Sequence, residues 1–139
     1  MTEDRSTTRF FLRKEQKLRT PQEFERVYEV KQKAGDDALL IFAAVSPTGV
    51  TRFGLSVSRK HGNAVRRARL KRLLREAFRL AQHDLPRGLD LILIPRQGGP
   101  EGVDVFRGSL MRLTKKLARR LLDAKLGAAM PTDSSQSTK

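Results

Sequence analysis

The 139-residue chain has no cysteine, no tryptophan, one tyrosine and two histidines. Without cysteine there can be no disulfide, thiolate metal site or cysteine nucleophile, and a reduced, cytoplasmic setting is the expectation. The histidines, His61 and His83, stand at unrelated places in no metal-ligand spacing. Long apolar runs are missing as well: the longest, residues 38–45 and 91–95, fall far short of the ~18 residues that cross a bilayer. The opening Met1-Thr2-Glu3-Asp4-Arg5-Ser6 has two acids and no apolar stretch, so no secretory leader is expected.

Catalytic signatures are equally scarce. The chain has no phosphate-cradling Walker loop, no Gly-x-Ser-x-Gly and no dinucleotide fingerprint. Asp36, Asp37, Asp90 and Asp104 are scattered, whereas a metal-dependent nuclease gathers several carboxylates around Mg²⁺. No catalytic residue, metal ligand or protein-bound cofactor is expected, and no small-molecule substrate.

What the chain does have is base: 29 Lys and Arg against 15 acids, a net charge of +14. Such a surface calls for a polyanion. Nine of those bases and one acid fall within residues 59–79, alongside a regular Leu/Ala/Phe repeat.

The length suits one domain, expected over 15–126 between a flexible arm (1–14) and a disordered tail (127–139). Thr20-Pro21-Gln22-Glu23 is a capping box with proline at the first helical position, which starts a helix running to about Val30 with Phe24, Val27 and Tyr28 on one face. Residues 31–37 read as a polar link, and 38–45 as a buried strand. Residues 52–58 alternate, with Phe53, Leu55 and Val57 opposite an unusually small face of Gly54, Ser56 and Ser58. Asn63 is a plausible cap for a helix over about 64–82, 89–95 is a strand buried on both faces, and Asp104 opens a last long helix. Its Phe106, Leu110, Leu113, Leu117 and Leu121 make a stripe beside Lys115, Lys116, Arg119 and Arg120. Helices against a mixed sheet, in an α/β sandwich, follow from this order.

At ~100° per residue, Leu70, Leu73, Leu74, Ala77, Phe78 and Ala81 share one side of the basic helix. Arg69, Lys71, Arg72, Arg75 and Arg79 spread over about 160° of the opposite side, with Ala68 inside that arc. A merely solvated face would mix in Glu for i, i+4 pairing, but only Glu76 is available. Arg66 and Arg67 also oppose the helix dipole. Repulsion of this kind is relieved by phosphate, which Arg matches bidentately. Phe24, Tyr28 and Phe42 are candidate platforms for unpaired bases, although each alone also suits the core.

Phe53-Gly54-Leu55-Ser56-Val57-Ser58-Arg59-Lys60, then Gly62-Asn63-Ala64-Val65 and Arg67-Ala68-Arg69-Leu70-Lys71-Arg72-Leu73-Leu74-Arg75-Glu76, closely resemble the protein subunit of bacterial ribonuclease P. The resemblance spans roughly residues 9–122. It implies a two-layer α+β sandwich like the second domain of ribosomal protein S5, with a left-handed βαβ crossover through the basic helix. It implies a non-catalytic subunit of an endoribonuclease: the RNA subunit, using Mg²⁺, removes the 5′ leader of precursor tRNA, and the protein binds that RNA and the leader. Carried over by motif, Lys60, Asn63, Arg67, Arg69, Lys71, Arg72 and Arg75 would contact the RNA subunit. Phe24, Tyr28 and Phe42 would line the leader cleft between the first helix and the sheet. The Arg-Asn-Arg motif reads Arg67-Ala68-Arg69 here, so position 68 lacks the motif's amide, and His61 stands where the family often has an apolar residue. The small face of residues 54, 56 and 58 would let RNA approach the sheet. The competing readings are a ribosomal or RNA-chaperone protein on the same fold, and a protein-only nuclease.

Overall fold

The computed structural model describes residues 12–127, with side chains described to residue 122. Most of the expected arm, to residue 11, and the tail from residue 128 lie outside the described residues. The elements are α1 (Pro21–Val30), β1 (Gln32–Gly35), β2 (Leu39–Val45), β3 (Arg52–Leu55), α2 (Ala64–Ala81), β4 (Leu89–Pro95) and α3 (Val103–Gly127). Single 3-10 turns lie at Lys14–Gln16, Arg59–His61 and Gln82–Asp84.

The four strands form one mixed sheet in the order β1-β2-β4-β3. β2 pairs antiparallel with both β1 and β4, while β3 runs parallel to β4, with α2 as the crossover between them. The result is the mixed-sheet α+β architecture the sequence predicts. Strand alternation then sorts the side chains between two faces. Leu39, Ile41, Ala43, Phe53, Leu91 and Leu93 meet Leu70, Leu74 and Phe78 of α2 and Phe106, Leu110 and Leu117 of α3 in the main core. Phe53 and Phe78 stack at 4.1 Å between centroids, which seats α2 on β3. Each such fully buried side chain contributes roughly 1.5–3 kcal/mol. On the opposite face Ala44 and Ile92 meet Val27 of α1 and Leu18 in a smaller core, flanked by Phe24, Tyr28, Phe42 and Ile94. A strand covered on both sides has no polar face to alternate, hence the run Leu91-Ile92-Leu93-Ile94.

Two expectations need correction. Residues 32–35, read as part of a polar link, are an edge strand in register with β2 from Gln32↔Ala43 to Gly35↔Leu40. Only Ala34 of β1 is buried, so backbone pairing rather than side-chain pattern makes this strand. β3 ends at Leu55, short of the expected Ser58. Ser56 N still donates to Leu93 O at 3.0 Å, but the chain then leaves the sheet for the 59–61 turn, where Ser58 Oγ accepts from Lys60 N.

The capping box forms as predicted. Glu23 N donates to Thr20 Oγ1 at 3.2 Å, and Thr20 N to Glu23 Oε1 at 3.0 Å. α1 closes at Lys31, whose φ of 62° turns the chain straight into β1. Both margins of the sheet are occupied: Leu18 N donates to Phe53 O at 2.9 Å alongside β3, and Arg120 Nη1 donates to Lys33 O at 2.8 Å on β1.

Candidate nucleic-acid interface

α2 buries Leu70, Leu74, Ala77, Phe78 and Ala81 and leaves Ala68, Arg69, Arg72 and Arg75 exposed. Lys71 is half-buried at the border of the two sides. Arg79 is taken by Glu76, with Nη2 to Oε2 at 2.5 Å, and hydrogen bonding to that guanidinium lowers the carboxyl pKa of Glu76. No ion-pair acid is found for Arg69, Arg72 or Arg75 among the described residues. A helix face carrying three such cations is held in place by the apolar side beneath it.

The first turn of α2 handles its charge differently. Asn63 Oδ1 accepts from Arg66 N at 2.9 Å, so Asn63 caps the helix through its side-chain oxygen. Arg67 Nε donates to Gly62 O at 3.2 Å, and Arg66 donates to His61 O at 3.1 Å and pairs with Glu101. These cations satisfy carbonyls just ahead of the helix. Glu101, from the loop before α3, offsets Arg66 in a way the local sequence does not reveal.

His61 is a structural pin. Its Nδ1 lies 3.0 Å from Ser58 N and its Nε2 lies 2.7 Å from Pro95 O. Gln97 Nε2 donates to Lys60 O in the same corner. The Lys60 turn is thereby fastened to the end of β4.

The second surface lies on the sheet face beneath α1. The registers place Lys33, Phe42, Ile92 and Gly54 in one row across the four strands, and Gly35, Leu40 and Ile94 in the next. α1 covers the first row. Tyr28 meets Phe42 edge-on at 4.9 Å and 75°, Lys33 Nζ lies 5.7 Å from the Phe42 centroid, and Phe24 lies over Gly54. Phe24, Tyr28 and Phe42 are all half-buried, one part on the small core and the rest reaching solvent. Beyond them Leu40, Ile94 and Ser56 line a shallow groove that ends at Lys60, His61 and Arg96. The three sequence-predicted aromatics do come together around the small core, with Lys33 beside Phe42, and Lys60 and Arg96 line the neighbouring groove.

The expectation for the small face changes at one position. The space above Gly54 is filled by the Phe24 ring and is not open to RNA: a Cβ at residue 54 would lie 2.8 Å from Phe24 Cε2. Ser56 and Ser58 both border the groove, Ser58 while its Oγ accepts from Lys60 N in the turn.

Sequence reasoning missed an ion cluster under α1. Asp90, fully buried on β4, accepts from Arg52 Nε at 2.8 Å and Nη2 at 2.7 Å, and pairs with Arg26 of α1. Arg52 Nη1 reaches Glu23 Oε2 at 3.1 Å. Glu23 Oε1 meanwhile accepts from the backbone N–H groups of Arg19 at 2.6 Å and Thr20 at 3.0 Å. Those two hydrogen bonds, then the Arg52 guanidinium, hold the Glu23 carboxyl below its usual pKa despite partial burial. The available signal was Asp90 itself, a charge inside a strand otherwise apolar on both faces, which must have a partner.

No three His, Asp or Glu side chains among the described residues form a set that could hold a metal ion. No helix among them is long and apolar enough to cross a membrane.

An exposed cation arc, a half-buried aromatic cluster beside a shallow groove and a small mixed sheet define a basic α+β protein with surfaces suited to binding a polyanion. The family model described as Ribonuclease P matches residues 12–122, and the chain belongs to the ribonuclease P protein component family. It is 39% identical over 108 residues to the Ribonuclease P protein component of Edwardsiella ictaluri, covering 77% of this chain and 87% of that one. The Escherichia coli K12 protein component is 36% identical over the same span. Among solved structures, the ribonuclease P protein of Thermotoga maritima superposes with a TM-score of 0.65 at 28% identity, over 72% of this chain and 96% of that one. That of Staphylococcus aureus gives 0.63 at 26% identity, over 73% and 94%.

Proposed function

We propose that the protein assists Mg²⁺-dependent removal of the 5′ leader from precursor tRNA by binding two RNAs at once. Lys60, Asn63, Arg67, Arg69, Lys71, Arg72 and Arg75 hold the catalytic RNA subunit, and the groove of Phe24, Tyr28 and Phe42 holds the leader. The observation that carries this reading is the separation of surfaces on a ribonuclease P family scaffold: exposed cations on α2, aromatics on the opposite sheet face.

The protein's part in this reading is energetic. Cations along α2 displace condensed counterions from the RNA, so assembly is salt-dependent and the complex needs less Mg²⁺ to fold and act. Leader bases stacked on the aromatics favour precursor, which has a leader, over mature tRNA, which does not. Hydrolysis itself is assigned to the RNA subunit and its Mg²⁺, and no step is routed through a metal on the protein.

The test is reconstitution. Added protein should raise cleavage of precursor tRNA by the RNA subunit at low Mg²⁺, and protein alone should cleave nothing. Equal binding to any structured RNA with no rate effect would support the RNA-chaperone alternative, and cleavage without the RNA subunit would support the protein-only nuclease. Arg69→Ala with Arg72→Ala should weaken assembly and flatten its salt dependence, by about 0.9 in log–log slope for each duplex phosphate no longer neutralised.

A further inference from the structure

We infer that Asp90 is a positioning residue for the leader groove: through Arg26 and Arg52 it sets where α1, and with it Phe24 and Tyr28, sits on the sheet. The inference rests on the leader-groove reading above and names what holds that groove in shape.

α1 has little else to hold it. Val27 is its one fully buried side chain, and its companion core on this face is small. Asp90 is fully buried, and Arg52 is 8% exposed. The carboxylate binds Arg52 in a two-pronged arrangement from the neighbouring strand and receives Arg26 from the middle of the helix. Arg26 Nη1 also lies 3.4 Å from Val45 O at the end of β2. Arg52 passes the link on to Glu23, which is also the capping-box residue at the helix start. Glu23 and Arg26 bracket Phe24 in sequence, and Tyr28 follows half a turn on. The helix is thus fixed at two points on its polar side, and the aromatics between and beyond them inherit that placement.

The chemistry fits a positioning role better than one of bulk stabilisation. A buried ion pair gains little net stability over an apolar equivalent of the same shape, because desolvation offsets the attraction. What it does impose is direction, since a planar guanidinium satisfies a carboxylate in few geometries. Asp90 itself is sealed from solvent, so it cannot touch RNA; any effect of changing it on leader binding must travel through α1.

The experiment uses full-length protein, alone and reconstituted with the RNA subunit, comparing Asp90→Asn, Arg26→Gln and Tyr28→Ala with wild type. Tyr28 is the only tyrosine and the chain has no tryptophan, so the near-UV circular dichroism of tyrosine reports on the seat of α1 against Phe42. Asp90→Asn and Arg26→Gln should each weaken the tyrosine band and lower affinity for leader-bearing precursor about fivefold, the low end of the loss of one stacked base. Affinity for mature tRNA and assembly with the RNA subunit should stay unchanged. A variant with wild-type tyrosine signal and lowered precursor affinity would overturn the inference, since Arg26 would then be acting by direct contact. So would equal losses for precursor and mature tRNA. Should Asp90→Asn not fold, Arg26→Gln, whose side chain is 40% exposed, carries the same two readouts. If Tyr28→Ala alone lowers precursor affinity, the groove stands and the role of Asp90 falls; if none of the three does, the leader reading itself falls.

Discussion

Phe24 occupies the place a side chain at residue 54 would need: a Cβ built on Gly54 would stand 2.8 Å from Cε2 and 3.1 Å from Cε1 of that ring. Glycine at 54 is required by packing, since the ring presses onto the strand backbone itself. Gly54→Ala should displace Phe24 and cost roughly 1–3 kcal/mol, the usual range for overpacking. Urea denaturation measures the loss, and precursor affinity should fall while assembly through α2 holds.

Ala68 lies exposed within the cation arc of α2. Ala68→Asn supplies the amide that the resemblance implies at that position, at the expense of helix propensity, about 0.5–0.7 kcal/mol. The expected result is tighter assembly with the RNA subunit alongside a lower Tm. A lower Tm with unchanged assembly would show that the amide finds no RNA partner in this protein.

Thr114 is fully buried on α3, and its Oγ1 has no hydrogen-bond partner. Replacing an orphaned hydroxyl with a methyl group removes a desolvation penalty of roughly 1–3 kcal/mol. Thr114→Val should therefore raise stability by about 1 kcal/mol in a urea titration without altering RNA binding.

The Glu23 carboxyl is held below its ordinary pKa, first by the Arg19 and Thr20 backbone N–H groups and then by Arg52. A depressed carboxyl contributes stability above its unfolded pKa, near 4.3, and that contribution disappears as pH falls through the lower folded value. The stability gap between wild type and Glu23→Gln should thus be full above about pH 5 and close on further acidification. A gap constant down to pH 2 would place the effect of the substitution elsewhere.

Much of this was legible in the sequence because it depends on local rules. The Thr20/Glu23 box, the two-sided apolar run of β4 and the opposed Leu and Arg sides of α2 are all written in spacing, and the structure forms each of them. The convergence of Phe24, Tyr28 and Phe42 rested on family resemblance, since burial statistics alone favour the core for each. What stayed hidden is non-local. β1 is held by pairing with β2 and carries almost no apolar signal. Glu101 reaches Arg66 across 35 residues, and Arg26, Arg52 and Asp90 come from three separate elements. Gly54 read as open space because a sequence does not say which distant ring will fill it.

Under the proposed function, a chain with a charge of +14 must pass some time without its RNA partner. Mixed sheets in that situation are exposed to strand-on-strand growth, since each unpaired margin can template another copy. Here one margin is shadowed by Lys17 and Leu18, and the other is four residues long with an arginine from α3 laid on it. The same fold that displays its cations so openly leaves little sheet backbone for another copy to pair with.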